Sequence, residues 1–444
     1  MSQQKPGIRV GNYRITPLGV ALMVAVVLVI CGVILYFSGV FTPDAQSVPN
    51  IAADPSSAPV SALPMELATN SPTPEPIEET PEPEPTPTPE PTPVPGPATA
   101  TIRFLGEISA DDDVLAAALQ ADGSYDFTDM FSMISGAVGK ADYTVADIEG
   151  AVGGIGNGYK GKSDYNTPES ILTSLSEIGV DMLAMANDHA LDAMFNGLEN
   201  GIANCQAAGL DYVGAAASQE EHDTPKIVEI NGINVCFLNY TTTLNSKEKA
   251  TDKAAVEYGV NLAKYANSKD DVDKAKAAGA DVIIAIVSWG DDGSRKITST
   301  QKKVAQLLVE SGVDVIVGYG PRNTQAVTWL EVGKGENQQR TLCAISLGTF
   351  LSDSTKQGLD YGTIFEITIT EQDDGTFAVE NPTSIPTYVW RYQDGEKDAI
   401  RVLACGEWLE EKPSGMSDED YDRLKKIWND IPSLVTETAT VAVN

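Results

Sequence analysis

Histidine is nearly missing from this chain: His189 and His222 are the two among 444 residues. A centre built on several imidazoles is therefore excluded, and acid–base or metal chemistry must rest mainly on carboxylates and amides. Cationic residues are scarce too, with 30 Lys and Arg against 63 Asp and Glu and a formal charge of -33. Such a surface repels phosphate backbones and anionic headgroups unless its cations cluster, and no cluster occurs, so nucleic acid is excluded as a partner. The cysteines follow no CxxC or zinc-ligand spacing. Cys236 in INVCFLNY and Cys343 in TLCAISL lie in apolar runs. Together with Cys205 and Cys405 they read as buried free thiols, although an extracytoplasmic setting permits a bridge.

Charge is wholly absent from Ile15 to Pro43, and Leu18–Phe37 supplies about the twenty apolar positions that a membrane-crossing helix needs. Lys5, Arg9 and Arg14 precede this run with no acidic residue among them, so residues 1–14 form a cytoplasmic tail and the chain after Phe41 lies outside. The span, 15–41, is too long for a cleaved signal peptide, and Ile30 before Cys31 does not suit a lipoprotein signal. The expected location is a single-pass cell-membrane protein with an extracytoplasmic main domain. Residues 42–100 are rich in Pro, Glu and Thr and offer few, scattered apolar residues to bury. They read as a disordered stalk able to hold a domain on the order of 100 Å from the bilayer.

From residue 101 the composition is that of a folded domain, and strand-like runs alternate with helical ones: TIRFL, DYTVA, DMLAM, VCFLNY, DVIIAIV and DVIVG, with KKVAQLLVESG before the last. This is the pattern of an α/β domain. Beyond DVIVG the chain turns to hairpins, with GKG and DDG as loops, and a closing helix is expected near DEDYDRLKKIWNDI. A helix is expected to open at His189, in HALDAMFNGLENGIANC. Polar loops follow the strands at Gly106–Glu107, Asp147–Glu149, Asn187–His189, Ser288–Asp292 and Tyr319–Arg322, the ends at which α/β sheets place ligands. Asp111, Asp112 and Asp113 read as a helix cap, and His222, in SQEEHDTP, as a solvated loop residue.

The strings TIRFLGEIS, ADYTVADIEGAV, DMLAMANDHALD, VSWG, GVDVIVGYGPRNTQ and AISLGTF, in this order, resemble the CapA family of capsule-synthesis proteins linked to poly-γ-glutamate. The resemblance covers about residues 101–395, with 396–444 as a C-terminal extension carrying the last helix. It implies a four-layer αββα sandwich like that of calcineurin-like metallophosphoesterases, at the outer face of a cell envelope. Carried over by position, it implies metal-ligating roles for Glu107, Asp147, Glu149 and Asn187. It further implies that His189 is the catalytic group that steadies a phosphoryl or positions the leaving group, with Asp192 fixing its loop, and that Asp188 joins the lining. The family's His-Trp-Gly stands here as Ser288, Trp289 and Gly290, followed by Asp291 and Asp292. Its Gly-His-His-Pro-His stands as Gly318, Tyr319, Gly320, Pro321 and Arg322. Ser288, Trp289, Asp291, Tyr319 and Arg322 are thus expected to line the cleft, Trp289 either as a stacking platform or as a packed wall.

With those histidines gone, remaining ligands are oxygen atoms, which favour Mn²⁺, Mg²⁺ or Ca²⁺ over Zn²⁺. Without metal, the carboxylates would repel one another, take up protons or find a cation such as Arg322. Two roles are therefore expected. One is a scaffold in which a degenerate, pseudoenzyme-like site binds an anionic exopolymer or its synthase complex. The other is a metal-dependent hydrolase or transferase acting on an envelope polymer.

Overall fold

The computed structural model describes residues 96–263, 268–333 and 338–431, and the backbone of two short antiparallel strands, Ile8–Val10 and Tyr13–Ile15. That hairpin belongs to a separate unit, Met1–Pro89. Apart from Ile15, the expected membrane helix lies outside the described residues, as do residues 42–95 of the expected stalk. Among the described residues no helix is long and apolar enough to cross a membrane.

Two sheets face each other. The first runs β14-β13-β12-β1-β2-β3-β4, where β1 is Thr99–Ile108, β2 Tyr143–Ile148, β3 Met182–Ala184, β4 Asp211–Val213, β12 Tyr361–Glu371, β13 Phe377–Asp394 and β14 Lys397–Ala404. A short strand, β11 (Thr349–Leu351), pairs in parallel with β1. The second runs β9-β10-β8-β7-β6-β5, with β5 Lys226–Ile230, β6 Ile233–Thr241, β7 Val282–Ser288, β8 Val315–Tyr319, β9 Val327–Val332 and β10 Gln339–Ala344. β1 to β4 run parallel, and so do β6, β7, β8 and β10, while β12–β14 and β9 pair antiparallel as the turn-rich later sequence requires.

Period-two alternation explains the layering, because successive side chains of a strand point to opposite faces. In β7, Val282, Ile284 and Ile286 join Phe104, Val145 and Met182 in the core between the sheets. Ile283, Ala285 and Val287 of the same strand face helices α4 (Ser268–Ala277) and α5 (Ser299–Ser311). Ala146, Ile148 and Leu183 face the opposite helix layer, formed by α1 (Asp112–Ala118), α2 (Ser170–Glu177) and α3 (Met194–Ala207). The result is the four-layer αββα sandwich. α5 starts with a reciprocal Thr298–Gln301 capping box and stops at Gly312 in the left-handed region, so its ends are written into the sequence. The last helix, α6 (Asp418–Asp430), buries Leu424 and Ile427 against Tyr388, Trp390 and Leu403. Cys205, Cys236, Cys343 and Cys405 are free and buried.

Three local expectations change. The helix expected from His189 begins only at Met194, because the Asn187 side chain accepts the His189 N–H and holds residues 188–193 as a turn. Asp111 sits at the start of α1 but does not cap it: its carboxylate accepts the Tyr165 hydroxyl and the Asp353 N–H. His222 is not a solvated loop residue; it lies half-buried in a short helix, Gln219–Asp223.

Candidate functional site

Parallel strands from both sheets end at one place. In register, Glu107 on β1 stands beside Asp147 on β2 and Thr349 on β11, and Asp147 beside Ala184 on β3. Tyr319 on β8 stands beside Ser288 on β7. Gly106 permits the close approach of β11, since a Cβ there would come within 2.9 Å of the Gly348 carbonyl. Glu107, Asp147, Glu149 and Asn187 are all buried.

The carboxylates are only partly satisfied. Glu107 accepts the Gly320 N–H at 2.8 Å through Oε2. Its Oε1 and the Asp147 Oδ1 are buried without a hydrogen-bond partner. Burial above all, then Glu149 and Asp147, push the Glu107 carboxyl well above the usual range, with Arg322 opposing. Asp147 is pushed well up by burial, Glu149 and Asp188. Glu149 is raised by burial, with Arg322 and His189 pulling against it, and accepts the Ser109 hydroxyl. Unpaired carboxyls in one low-dielectric place must share protons or cations.

The Asn187 side-chain oxygen is fully occupied: Oδ1 accepts the Gly150 and His189 N–H groups at 3.1 Å each, while Nδ2 donates to the Ile148 carbonyl at 2.7 Å. Both lone pairs of the expected ligand oxygen are therefore engaged.

His189 is held by Asp192, whose Oδ2 lies 2.6 Å from Nδ1 and also accepts the Tyr165 N–H. The Tyr165 ring meets the imidazole edge-on at 4.9 Å. Nε2 lies 3.5 Å from Glu149 and 3.6 Å from Asp188. Burial lowers the imidazole pKa, but Asp192, Asp188 and Glu149 outweigh it and the net shift is upward.

The other side of the cluster carries the guanidinium of Arg322. It makes a two-pronged contact with Asp292 at 2.8 and 2.6 Å, and stands 4.0 Å from Glu107 Oε1 and 3.7 Å from Glu149 Oε2. Its pKa is raised: burial works against the charge, and Asp292, Glu149 and Glu107 more than offset it. Arg322 holds this position with φ of 52°, a left-handed conformation costing on the order of 1–3 kcal/mol. Gly320, two residues earlier, has φ of 104° and lies so close to Trp289 that a Cβ would meet its carbonyl at 2.4 Å.

Trp289 and Tyr319 do not open into a cleft. Trp289 is 2% exposed, packs in the helix-side core and donates its indole N–H to the Ile345 carbonyl, so it is a wall and not a stacking platform. Tyr319 is 1% exposed and donates its hydroxyl to the Leu105 carbonyl, because its strand points that side chain between the sheets. Ser288 is buried at the end of β7, while Asp291 is exposed and leaves the arginine to Asp292.

Three further residues join from places without a motif, Tyr165, Asn245 and Lys247, and Ser109 joins from the end of TIRFLGEIS. Asn245 donates to Asp188 at 3.0 Å and lies 3.3 Å from His189 Nε2. Lys247 pairs with Asp164 and stands 3.9 Å from Asp192 Oδ1. Asn245 and Lys247 lie in the loop after β6, so the strand-end rule applied to VCFLNY would have found them.

A divalent cation is the group that the resemblance implies, and the donors fit one. Glu149, Asp188 and His189 each offer an atom within 4.8 Å of the others, and Glu107 Oε1 and Asp147 Oδ1 supply unpaired buried oxygen. This is an oxygen-rich set suited to a hard cation. A second cation is disfavoured by the guanidinium already there and by the engaged Asn187 oxygen.

Comparison with known proteins agrees with the motifs. The family described as bacterial capsule synthesis protein PGA_cap matches residues 101–354. A capsule biosynthesis protein CapA of Bacillus anthracis is 26% identical over 200 residues, 43% of this chain and 46% of that protein. A PGA biosynthesis protein CapA of Bacillus subtilis is 25% identical over 258 residues, 54% of this chain and 64% of that one. The chain thus spans less than two thirds of either relative. Looser likenesses occur among solved structures. The Haemophilus influenzae NAD nucleotidase is 10% identical with TM-score 0.42, over 78% of this chain and 58% of that one. The calcineurin-like phosphoesterase YfkN from Bacillus subtilis is 13% identical with TM-score 0.39, over 76% and 98%.

Proposed function

Because this chain belongs to the bacterial capsule synthesis protein PGA_cap family, we propose that it acts in capsule or related anionic exopolymer biosynthesis as a membrane-anchored, extracytoplasmic scaffold. Its strand-end site then holds a polymer end or a synthase partner and does not hydrolyse phosphoesters. The observation carrying this reading is the Arg322 guanidinium among Glu107, Glu149 and Asp292, at the family's histidine loop. A fixed organic cation neutralises carboxylates but cannot lower the pKa of a bound water or clamp entering and leaving oxygens as a metal pair does. The charge-free run before the Pro-rich segment supports the anchored, outward-facing placement. The CapA names of the two relatives support the polymer class.

A second reading, a metal-dependent hydrolase or transferase of calcineurin-like type, is favoured by the orphaned oxygens of Glu107 and Asp147. The carboxylates of Glu107, Asp147, Glu149 and Asp188 would hold one Mn²⁺, Mg²⁺ or Ca²⁺ ion, which when bound supplies Lewis acidity. His189, oriented by Asp192, would hold or donate a proton at Nε2, and Arg322 would steady negative charge. The test is metal content and turnover of the full chain in nonionic detergent, equilibrated with each cation and offered bis(p-nitrophenyl) phosphate. The scaffold reading expects background turnover with or without metal. Stoichiometric metal, with turnover abolished by His189→Ala, overturns it.

A further inference from the structure

A cavity of about 350 Å³, whose lining shares no residue with the strand-end cluster, lies between β4 at the edge of one sheet and β5–β6 at the edge of the other. That volume lies within the range of small-molecule sites. Its chemistry is uneven. Asp211, Glu221, Asp223 and Asp271 line it against the ammonium groups of Lys226 and Lys274, so carboxylates outnumber lysines by two to one. Lys226 is taken by Asp211 and Lys274 by Asp223 at 2.9 Å, while Glu221 accepts the Tyr212 hydroxyl and the Ala217 N–H. Asp271 has no lysine of its own; it accepts the Tyr240 hydroxyl at 2.8 Å.

The second histidine faces the same space. His222 Nδ1 is buried without a hydrogen-bond partner, and the Asp223 oxygen 3.6 Å away is too far to be one. Tyr212, Phe237 and Tyr258 supply aromatic walls, the surface an organic cation prefers. Asp271 thus presents a carboxylate without a lysine partner in a pocket with surplus negative charge and aromatic sides.

We propose that this cavity is a binding site for a small organic ammonium compound, whose nitrogen donates to Asp271 while its body packs against the aromatic walls. Burial raises the Asp271 carboxyl, with the Tyr240 hydroxyl, Lys274 and His222 pulling against it, as befits a half-buried carboxylate short of a counter-ion. The site is independent of the strand-end cluster and of the scaffold reading.

The test is calorimetric titration of the full chain in nonionic detergent with glucosamine, putrescine and lysine methyl ester, using glucose as neutral and glucuronate as anionic control. At least one amine is expected to bind saturably and ten-fold or more tighter than both controls. Asp271→Asn, which keeps an acceptor for Tyr240, is expected to weaken that binding ten-fold or more at an unchanged melting temperature. If that variant does not fold, Tyr258→Leu, which removes an aromatic wall, carries the same expectation of weakened binding. The proposal is overturned if no amine binds better than glucose, if glucuronate binds best, or if the folded variants bind the amine as the parent chain does.

Discussion

The two sides of the strand-end site were built by different rules. On the first-sheet side, Glu149 and His189 keep the residue types that the family resemblance implies, Glu107 and Asp147 supply carboxylates that depart from it, and all three carboxyl groups are buried, with oxygens of Glu107 and Asp147 left unpaired. On the second-sheet side, the β7 and β8 loops carry no imidazole and deliver a guanidinium held by Asp292. An acidic half that suits a cation has thus been joined to a half that brings one covalently attached. A protein-borne cation gives up exchangeable chemistry and gains a permanent counter-ion, which accords better with holding than with hydrolysing.

The largest expected effect comes from removing that counter-ion. Arg322→Ala should destabilise the domain by about 3 kcal/mol at pH 7, since breaking a buried pair strands its partners. Added Mn²⁺ should restore part of the lost melting temperature, because the carboxylates then have a cation again. A variant as stable as the parent, and indifferent to Mn²⁺, would break the comparison.

Next comes Asp192→Ala, expected to cost about 2 kcal/mol by leaving the Tyr165 N–H and the His189 ring without their shared acceptor. The sign with pH follows from the upward shift of His189. The stability it contributes is fully present below the unfolded imidazole value of about 6.5 and is lost as pH rises through the folded value. NMR titration of His189 should move to lower pH in the variant. An unmoved midpoint would show that Asp192 does not set the imidazole.

Glu107→Gln should act in the opposite direction and more weakly, gaining about 1 kcal/mol at pH 7 because a neutral amide suffers less from burial beside Asp147 and Glu149. The Glu107 pKa is raised, so its contribution in the parent is present below about 4.3 and is lost as pH rises through the folded value. The gain should accordingly vanish near pH 4. Urea unfolding at both pH values reads this, and a loss of stability at pH 7 would mean that the charged form is being stabilised, as by a bound cation.

Lys247→Met should matter least, about 0.5 kcal/mol and less in high salt, since its pair with Asp164 is partly exposed. A larger change would make the loop after β6 a structural part of the site and would sharpen the contrast between the two sides.

Much of the fold was legible because alternating apolar strands and periodic helices announce themselves locally: DVIIAIV became β7, DVIVG became β8, and KKVAQLLVESG lies within the capped helix α5. The site was legible where a motif and a strand end coincided, as at Asn187–His189. Trp289 was not, because indole is chemically suited both to a ligand platform and to a core, and only burial tells them apart. Tyr165 was not, because it sits in a long loop without periodicity and meets His189 only through the chain's path in space.

The order of residues alone determined the alternating layers, the scarcity of imidazole and the family, since these depend on side-chain type and spacing along one dimension. Tertiary structure alone decided that Asn187 has no lone pair to spare, that Asp292 and not Asp291 takes Arg322, and that a half-buried His222 looks into a cavity. Those outcomes depend on distances between residues far apart in the chain, and pairing and desolvation are properties of such distances.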